Sequence, residues 1–248
     1  MAISARAAMA TTRPSMWPAD AFDLLRRGAV TIKGRLPWSS NFTLLAELTL
    51  GEARALAVYK PMRGERPLWD FPPGLYKREL AAYLLSEALG WGLVPPTVLR
   101  EGPFGEGSLQ WFVEADFEQH YLTLLEEPRH RARLEQICAF DLLANNADRK
   151  SGHCLLAADE QIYAIDNALT FHVEPKLRTV IWDFAGEPIP DAVLADIRRL
   201  GEAGVPEALA SLLEPDEREA LLLRAKALAE DGRYPADPTG QRYPWPLI

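Results

Sequence analysis

The stretch that decides the fold is residues 146–153, Asn-Ala-Asp-Arg-Lys-Ser-Gly-His, followed by residues 165–167, Ile-Asp-Asn. Between them the sequence predicts two short apolar strands, joined by the polar turn at residues 157–160. The outer ends of an antiparallel hairpin lie side by side. The pattern therefore predicts that His153 and Asp166 face each other.

Three side chains in this stretch have a spacing that protein kinases use for phosphoryl transfer. Asp148 precedes His153 by four intervening residues, and Asp166 follows one hairpin later. In kinases an Asp at the first position orients the acceptor hydroxyl, while an Asn and a second Asp hold Mg²⁺ or Mn²⁺ against phosphate oxygens. Each residue taken singly could fill an ordinary structural role, but such roles do not account for the joint spacing. We predict Asp148 as the catalytic residue and Asp166 and His153 as the metal ligands.

Lys60 is the predicted phosphate contact. Residues 55–60, Ala-Leu-Ala-Val-Tyr-Lys, predict a strand that ends at Pro61. A lysine in this position matches the strand lysine with which kinases contact the nucleotide phosphates. Its catalytic and nucleotide-binding roles both depend on a partner that holds the ammonium in place.

The predicted partner is a carboxylate on the helix that follows, at residues 75–89. Glu79 is favoured because its neighbours one turn away on either side are apolar, which directs its side chain inward. Glu87 stays open as an alternative, because periodicity does not exclude it.

The remaining strands complete a small lobe. Strands are predicted at residues 29–33, 42–48, 97–100 and 108–114, so that with the Lys60 strand the sheet has five. The loop at 34–41 contains a single glycine, so backbone and hydroxyl groups there would have to cover the phosphates; the nucleotide-binding residues predicted in it are Ser39, Ser40 and Asn41. Glu114 lies in the segment predicted to bind adenine through its backbone. Downstream, helices are predicted at 132–143, 191–203 and 215–230.

The composition excludes several classes of protein. The chain has 248 residues, of which 48% are hydrophobic, which is enough to bury a core. A net charge of −8 opposes binding to nucleic acid, and no apolar run predicts a membrane span or a secretory signal. Cys138 and Cys154 lack metal-ligand spacing and predict buried reduced thiols. We therefore expect a cytoplasmic protein with no nucleic-acid partner and no integral membrane association.

On these motifs the chain resembles the phosphatidylinositol 3-/4-kinase-like superfamily, most closely the type II phosphatidylinositol 4-kinases and a small actinobacterial family related to them. The resemblance covers about residues 33–171, and its sharpest segments are 58–61, 79–84, 89–95, 146–149 and 164–171. It implies an α+β, two-lobed protein-kinase-like fold, with a five-stranded antiparallel N-lobe carrying one helix and a mainly helical C-lobe. The expected domain organisation is a flexible N-terminal segment at 1–25, the N-lobe at 26–116, the C-lobe at 117–232 and a Pro-rich tail at 233–248.

The function implied by the resemblance is ATP-dependent transfer of the γ-phosphate to a hydroxyl, on a protein Ser/Thr or a small polyol or inositol-type head group. ATP and Mg²⁺ or Mn²⁺ are the expected cofactors. His153 stands where the family has Asn, and an imidazole nitrogen suits Mn²⁺ better than Mg²⁺. The same residue favours one alternative, a pseudokinase that binds nucleotide for regulation. A second alternative is a kinase-fold enzyme that transfers AMP.

Overall fold

The computed structural model describes residues 17–37 and 41–247, and these residues form two lobes. The N-lobe contains a five-stranded antiparallel sheet in the order β1-β2-β3-β5-β4. Its strands are β1 (Ala29–Arg35), β2 (Leu44–Leu50), β3 (Ala53–Pro61), β4 (Thr97–Gly102) and β5 (Gly105–Trp111). The predicted α+β architecture with a five-stranded N-lobe is confirmed.

Alternation along β2 and the second half of β3 gives the sheet one buried face. In β2, Leu44, Ala46 and Leu48 are buried, whereas the residues between them are half-buried. The buried face is covered by helix α1 (Ala21–Arg27), which contributes Leu24 and Leu25 to the same core. Buried and half-buried residues also alternate toward the end of β3. Lys60 therefore lies on the face opposite the core and points toward the other lobe.

Helix α1 adds a second helix to the N-lobe, beside the predicted one. It spans the predicted boundary at residue 25, so the N-lobe begins before that residue in the structure. The helix is only 7 residues long, too short for a periodic pattern to stand out in the sequence.

The predicted helix of the N-lobe is α2 (Leu75–Leu89), and its bounds match the prediction. Gly74 precedes it with φ of 95° and Gly90 follows it with φ of 73°. Both values lie in the left-handed region that glycine adopts without strain, and the amide of Gly90 closes the last turn on the carbonyl of Glu87. These two glycines therefore fix the length of the helix that carries Glu79.

The C-lobe is built around a buried helix, α4 (Arg131–Ala144), in which Leu134, Ile137 and Phe140 are fully buried. Helices α5 (Asp191–Ala203) and α7 (Pro215–Asp231) pack together on this core, and the short helices α3 (Tyr121–Leu124) and α6 (Glu207–Ala210) complete it. The predicted bounds of the three long helices agree with the structure to within one residue. Among the helices in the described ranges, none is long and apolar enough to cross a membrane.

The predicted hairpin of the C-lobe is formed by β6 (Cys154–Leu156) and β7 (Ile162–Ala164). Cys154 pairs with Ala164, and the amide of Ile165 donates to the carbonyl of His153 at 3.0 Å. The hairpin therefore brings His153 and Asp166 to the same end, as the sequence predicts.

Candidate functional site

Lys60 extends from the end of β3 into the cleft between the lobes. Its Nζ contacts the Glu79 carboxylate of the same lobe and lies 2.7 Å from Oδ1 of Asp166 in the other lobe. Burial alone would lower the pKa of Lys60, but the carboxylates of Asp166 and Glu79 raise it above its usual value. The ammonium is therefore charged, and one of its three N–H donors remains for a phosphate oxygen.

Glu79 holds Lys60 from within α2 and is itself only 1% exposed. Its second carboxylate oxygen accepts a hydrogen bond from the amide of Asn167 at 3.2 Å. Glu87 is exposed instead, and its carboxylate accepts a hydrogen bond from Tyr83 of the same helix. The structure thus makes Glu79 the partner of Lys60 and ties both lobes together at this carboxylate.

Asp166 follows β7 and has a φ of 56°, a left-handed conformation that is uncommon for residues other than glycine. Its Oδ1 accepts from Lys60, and its Oδ2 lies 3.5 Å from Nε2 of His153. Burial would raise the pKa of Asp166, but the positive charge of Lys60 and its hydrogen bond hold that pKa well below its usual range. The side chain is therefore a carboxylate at neutral pH, the form that binds a divalent metal.

His153 lies in a single helical turn just before β6, with its imidazole beside Asp166. Burial lowers its pKa to about 4, so the ring is neutral near pH 7. The amide of Lys150 donates to Nδ1 over a long 3.4 Å bond, which places the ring proton on Nε2. Coordination of a metal through Nε2 would move that proton to Nδ1 and release the Lys150 amide.

Asp148 lies in the loop between α4 and β6, which we name the catalytic loop (residues 145–153). The amide of Asp148 donates to Oδ1 of Asn146 at 3.0 Å, which fixes the turn. Its side chain is 28% exposed, so an acceptor can reach the carboxylate. Burial raises the pKa of Asp148 and Lys150 opposes the rise.

Lys150 is a site residue that the sequence analysis missed. Its Nζ lies 3.2 Å from Oδ2 of Asp148. The signal was present, because residues two apart in an extended segment point to the same side. Lys150 therefore adds a positive charge next to the carboxylate, where the transferring phosphoryl group would be negative.

A buried network supports the catalytic loop from behind. The guanidinium of Arg149, which is 0% exposed, pairs with Asp141 of α4 at 2.9 Å. It also donates to the carbonyl of Ile165 at 2.7 Å and to Oδ1 of Asn167 at 2.6 Å. Arg149 thus joins α4, the catalytic loop and the segment that carries Asp166.

The other predicted nucleotide contacts have different outcomes. Ser39 and Ser40 lie outside the described residues. Asn41 uses its side-chain oxygen to accept the amide of Arg66 at 3.2 Å and its carbonyl to accept the amide of Thr43. Its assignment to nucleotide binding stays a prediction. Glu114 is exposed between the lobes and lines a cavity of about 330 Å³.

The two predicted ligands fit a metal that binds together with a nucleotide. In the part of the chain that the structure describes, no three His, Cys, Asp or Glu side chains cluster to hold a metal by themselves. Asp166 and His153 supply two ligands, and metals in kinase sites complete their shell with phosphate oxygens and water. The donor set is therefore compatible with Mg²⁺ or Mn²⁺ bound to a nucleotide.

Solved structures with the same fold include kinases. The structure of the Helicobacter pylori proinflammatory kinase CtkA matches 85% of this chain and 94% of its own, with a TM-score of 0.53 and 13% identity. A hydra Fam20 structure with sugar matches 85% of this chain and 86% of its own, with a TM-score of 0.56 and 16% identity. A Golgi casein kinase with Mn and ADP bound matches 90% of this chain and 78% of its own, with a TM-score of 0.55 and 14% identity.

No protein-family model matches the sequence. Protein Rv2133c of Mycobacterium tuberculosis is 42% identical over an alignment that covers 92% of this chain and 96% of the relative. That similarity runs through both lobes and the catalytic loop. The chain has a protein-kinase-like fold and belongs to the same family as protein Rv2133c.

Proposed function

We propose that the chain is an ATP-dependent phosphotransferase of the phosphatidylinositol 3-/4-kinase-like superfamily that acts on a hydroxyl acceptor. The observation that carries the proposal is the contact of Lys60 with Glu79 of its own lobe and Asp166 of the other, beside an accessible Asp148. The motifs at residues 58–61, 146–149 and 164–171 support the superfamily. A cytoplasmic location and the absence of a nucleic-acid partner remain predictions.

Each charged group has a separate role in the proposed reaction. Lys60 binds a phosphate oxygen of ATP, and Glu79 keeps it in place. Asp148 orients the acceptor hydroxyl and accepts its proton as the acceptor oxygen bonds to the γ-phosphorus and ADP leaves. Asp166 and His153 would hold a divalent metal, which neutralises phosphate charge when bound. The Golgi casein kinase with Mn and ADP bound supports this cofactor set.

The test is transfer of labelled phosphate from [γ-³²P]ATP, run together with a thermal-shift measurement of nucleotide and metal binding. Stabilisation by Mn²⁺-ATP with turnover supports the proposal. Stabilisation without turnover supports the pseudokinase alternative. One observation favours that alternative: both carboxylate oxygens of Asp166 already face protein cations or donors, Lys60 and His153. Products that gain AMP in mass spectrometry, instead of phosphate, would indicate AMP transfer.

Three substitutions test the Lys60 assignment. We expect Lys60→Ala to weaken nucleotide binding and to lower transfer by about 100–1000-fold, since a fixed charge is lost from a desolvated cleft. Glu79→Gln should reproduce part of both losses, because Lys60 loses its partner. Glu87→Gln, on the same helix but exposed, is the matched control and should leave both unchanged. Calorimetry with a non-hydrolysable nucleotide measures the binding. A loss in the Glu87 variant and none in the Glu79 variant would reverse the assignment.

His153→Asn tests the metal assignment. Imidazole nitrogen favours transition metals, whereas an amide oxygen is a hard ligand that suits Mg²⁺. Changes in residues that only support the ligands often alter metal affinity by about 10–100-fold, so exchange of a direct ligand should shift the Mn²⁺/Mg²⁺ affinity ratio toward Mg²⁺ by at least about tenfold. Titration of each metal against the nucleotide-bound protein measures the ratio. An unchanged ratio would mean that His153 does not bind the metal.

A further inference from the structure

Residues 242–247, Arg-Tyr-Pro-Trp-Pro-Leu, are anchored at both ends onto the C-lobe; we name them the C-terminal strap. At one end the carbonyl of Arg242 accepts hydrogen bonds from the amide of Thr179 at 3.1 Å and from Nε1 of Trp182 at 3.2 Å. At the other end the carbonyl of Leu247 accepts the amide of Ser151 at 2.8 Å. Between the anchors Pro244 is buried. The strap is therefore part of the folded lobe.

Both anchors are connected to the catalytic loop close to Asp148 in the chain. Arg149 pairs with the Thr179 segment: its amide donates to the carbonyl of Arg178 at 3.0 Å, and its carbonyl accepts the amide of Val180 at 3.0 Å. Ser151 is three residues beyond Asp148 in the catalytic loop. The strap thus runs between two chain segments that both adjoin the residue proposed to orient the acceptor.

This placement bears on the size of the acceptor. A protein hydroxyl arrives on a chain, and its flanking backbone must lie on the lobe on either side of the reacting residue. One common way for an extended peptide to bind is by pairing with free backbone groups of the protein. Here the amides of Ser151 and Thr179 already donate to the strap. A small polyol requires no such path along the backbone, and the side chain of Asp148 is 28% exposed.

We propose that the C-terminal strap is a wall of the acceptor site that admits small hydroxyl compounds and excludes protein chains. The proposal rests on the proposed function, because it takes Asp148 as the acceptor-binding residue. It selects the small polyol from the two acceptor classes that the sequence leaves open.

Access to the acceptor position is measured by placing a thiol there. Asp148→Cys provides the thiol, and Cys138 and Cys154 give little background because both are buried. Two reagents are compared: iodoacetamide, and a nonapeptide with a bromoacetyl group on its central residue. Each is tested on the full chain, on a variant that ends at Gly240, and on a full-length variant with Tyr243→Gly, Pro244→Ser, Trp245→Gly, Pro246→Ser and Leu247→Gly.

We expect iodoacetamide to react at rates within about threefold in all three proteins, and the peptide to react at least about tenfold faster when the strap is removed or loosened. Trp245→Ala, in the Asp148→Cys background, is the matched control and should behave as the full chain, because Trp245 is 86% exposed. Circular dichroism checks that each variant is folded. Equal peptide rates with and without the strap would overturn the proposal.

A second measurement uses the natural Asp148. With [γ-³²P]ATP and Mn²⁺, the full chain should not label dephosphorylated casein, and the loosened-strap variant should label it. Equal labelling of casein by both proteins would contradict the proposal that the strap excludes protein chains. The thiol experiment needs no catalysis, so it still decides the role of the strap if nucleotide binding and transfer are both absent and the proposed function fails.

Discussion

Replacing Asp148 with Asn should lower phosphoryl transfer by about a thousandfold and change nucleotide affinity by less than about threefold, since proton transfer by a positioned side chain contributes about 100–10,000-fold. The proposed contacts with the nucleotide and its metal lie elsewhere, at Lys60 and Asp166, which bond to each other, whereas the carboxylate of Asp148 pairs with Lys150. Asn keeps the size of the side chain and the backbone bond to Asn146, so the fold should be retained. The variant is thus expected to keep its nucleotide affinity while it loses phosphoryl transfer.

Single-turnover transfer and calorimetry with a non-hydrolysable nucleotide measure the two quantities on the same preparation. The control for a loss of one negative charge is Asp216→Asn, which changes an exposed residue in the first turn of α7. That variant should transfer phosphate as wild type does. An Asp148→Asn protein with wild-type transfer would show that another group orients the acceptor.

The N-lobe could be predicted from sequence because each of its main elements carries its own signal. The largely apolar run at residues 42–48 predicts β2, and the apolar periodicity of residues 75–89 predicts α2. In the C-lobe, the hairpin of β6 and β7 could also be predicted, because a short polar turn lies between two apolar strands. Since a hairpin is local, its geometry brought His153 and Asp166 together before any long-range contact was known.

Other features depend on contacts between residues far apart in the chain. Periodicity could not decide between Glu79 and Glu87, because the choice depends on where β3 and the Asp166 segment lie around α2. The hydrogen bond from the amide of Arg66 to the side chain of Asn41 joins residues 25 positions apart, and the residue type of Asn41 did not predict it. The C-terminal strap carries no regular pattern at all, and only backbone hydrogen bonds to Ser151 and Thr179 place it.

The largest loss of stability is expected from Arg149→Met. This change removes one partner of a fully buried ion pair and leaves the Asp141 carboxylate without its counterion. Breaking such a pair from one side typically costs about 3–5 kcal/mol, because the remaining charge is desolvated and uncompensated. Equilibrium unfolding in urea measures the change. Arg129→Met, which breaks exposed ion pairs with Glu127 and Glu160, is the control and should leave the unfolding midpoint unchanged.

The double variant Asp141→Leu with Arg149→Met separates the charge from the rest of the network. Buried ion pairs replaced on both sides by apolar residues are often close to neutral in stability, so much of the loss should be recovered. Recovery should be incomplete here, because the side-chain oxygen of Asn167 and the carbonyl of Ile165 also lose the donors of Arg149. These two residues flank Asp166. We therefore expect the double variant to unfold at a higher urea concentration than Arg149→Met. It should still bind Mn²⁺-ATP more weakly than wild type. Equal instability of the single and double variants would mean that Arg149 acts through its hydrogen bonds and not through the charge of Asp141.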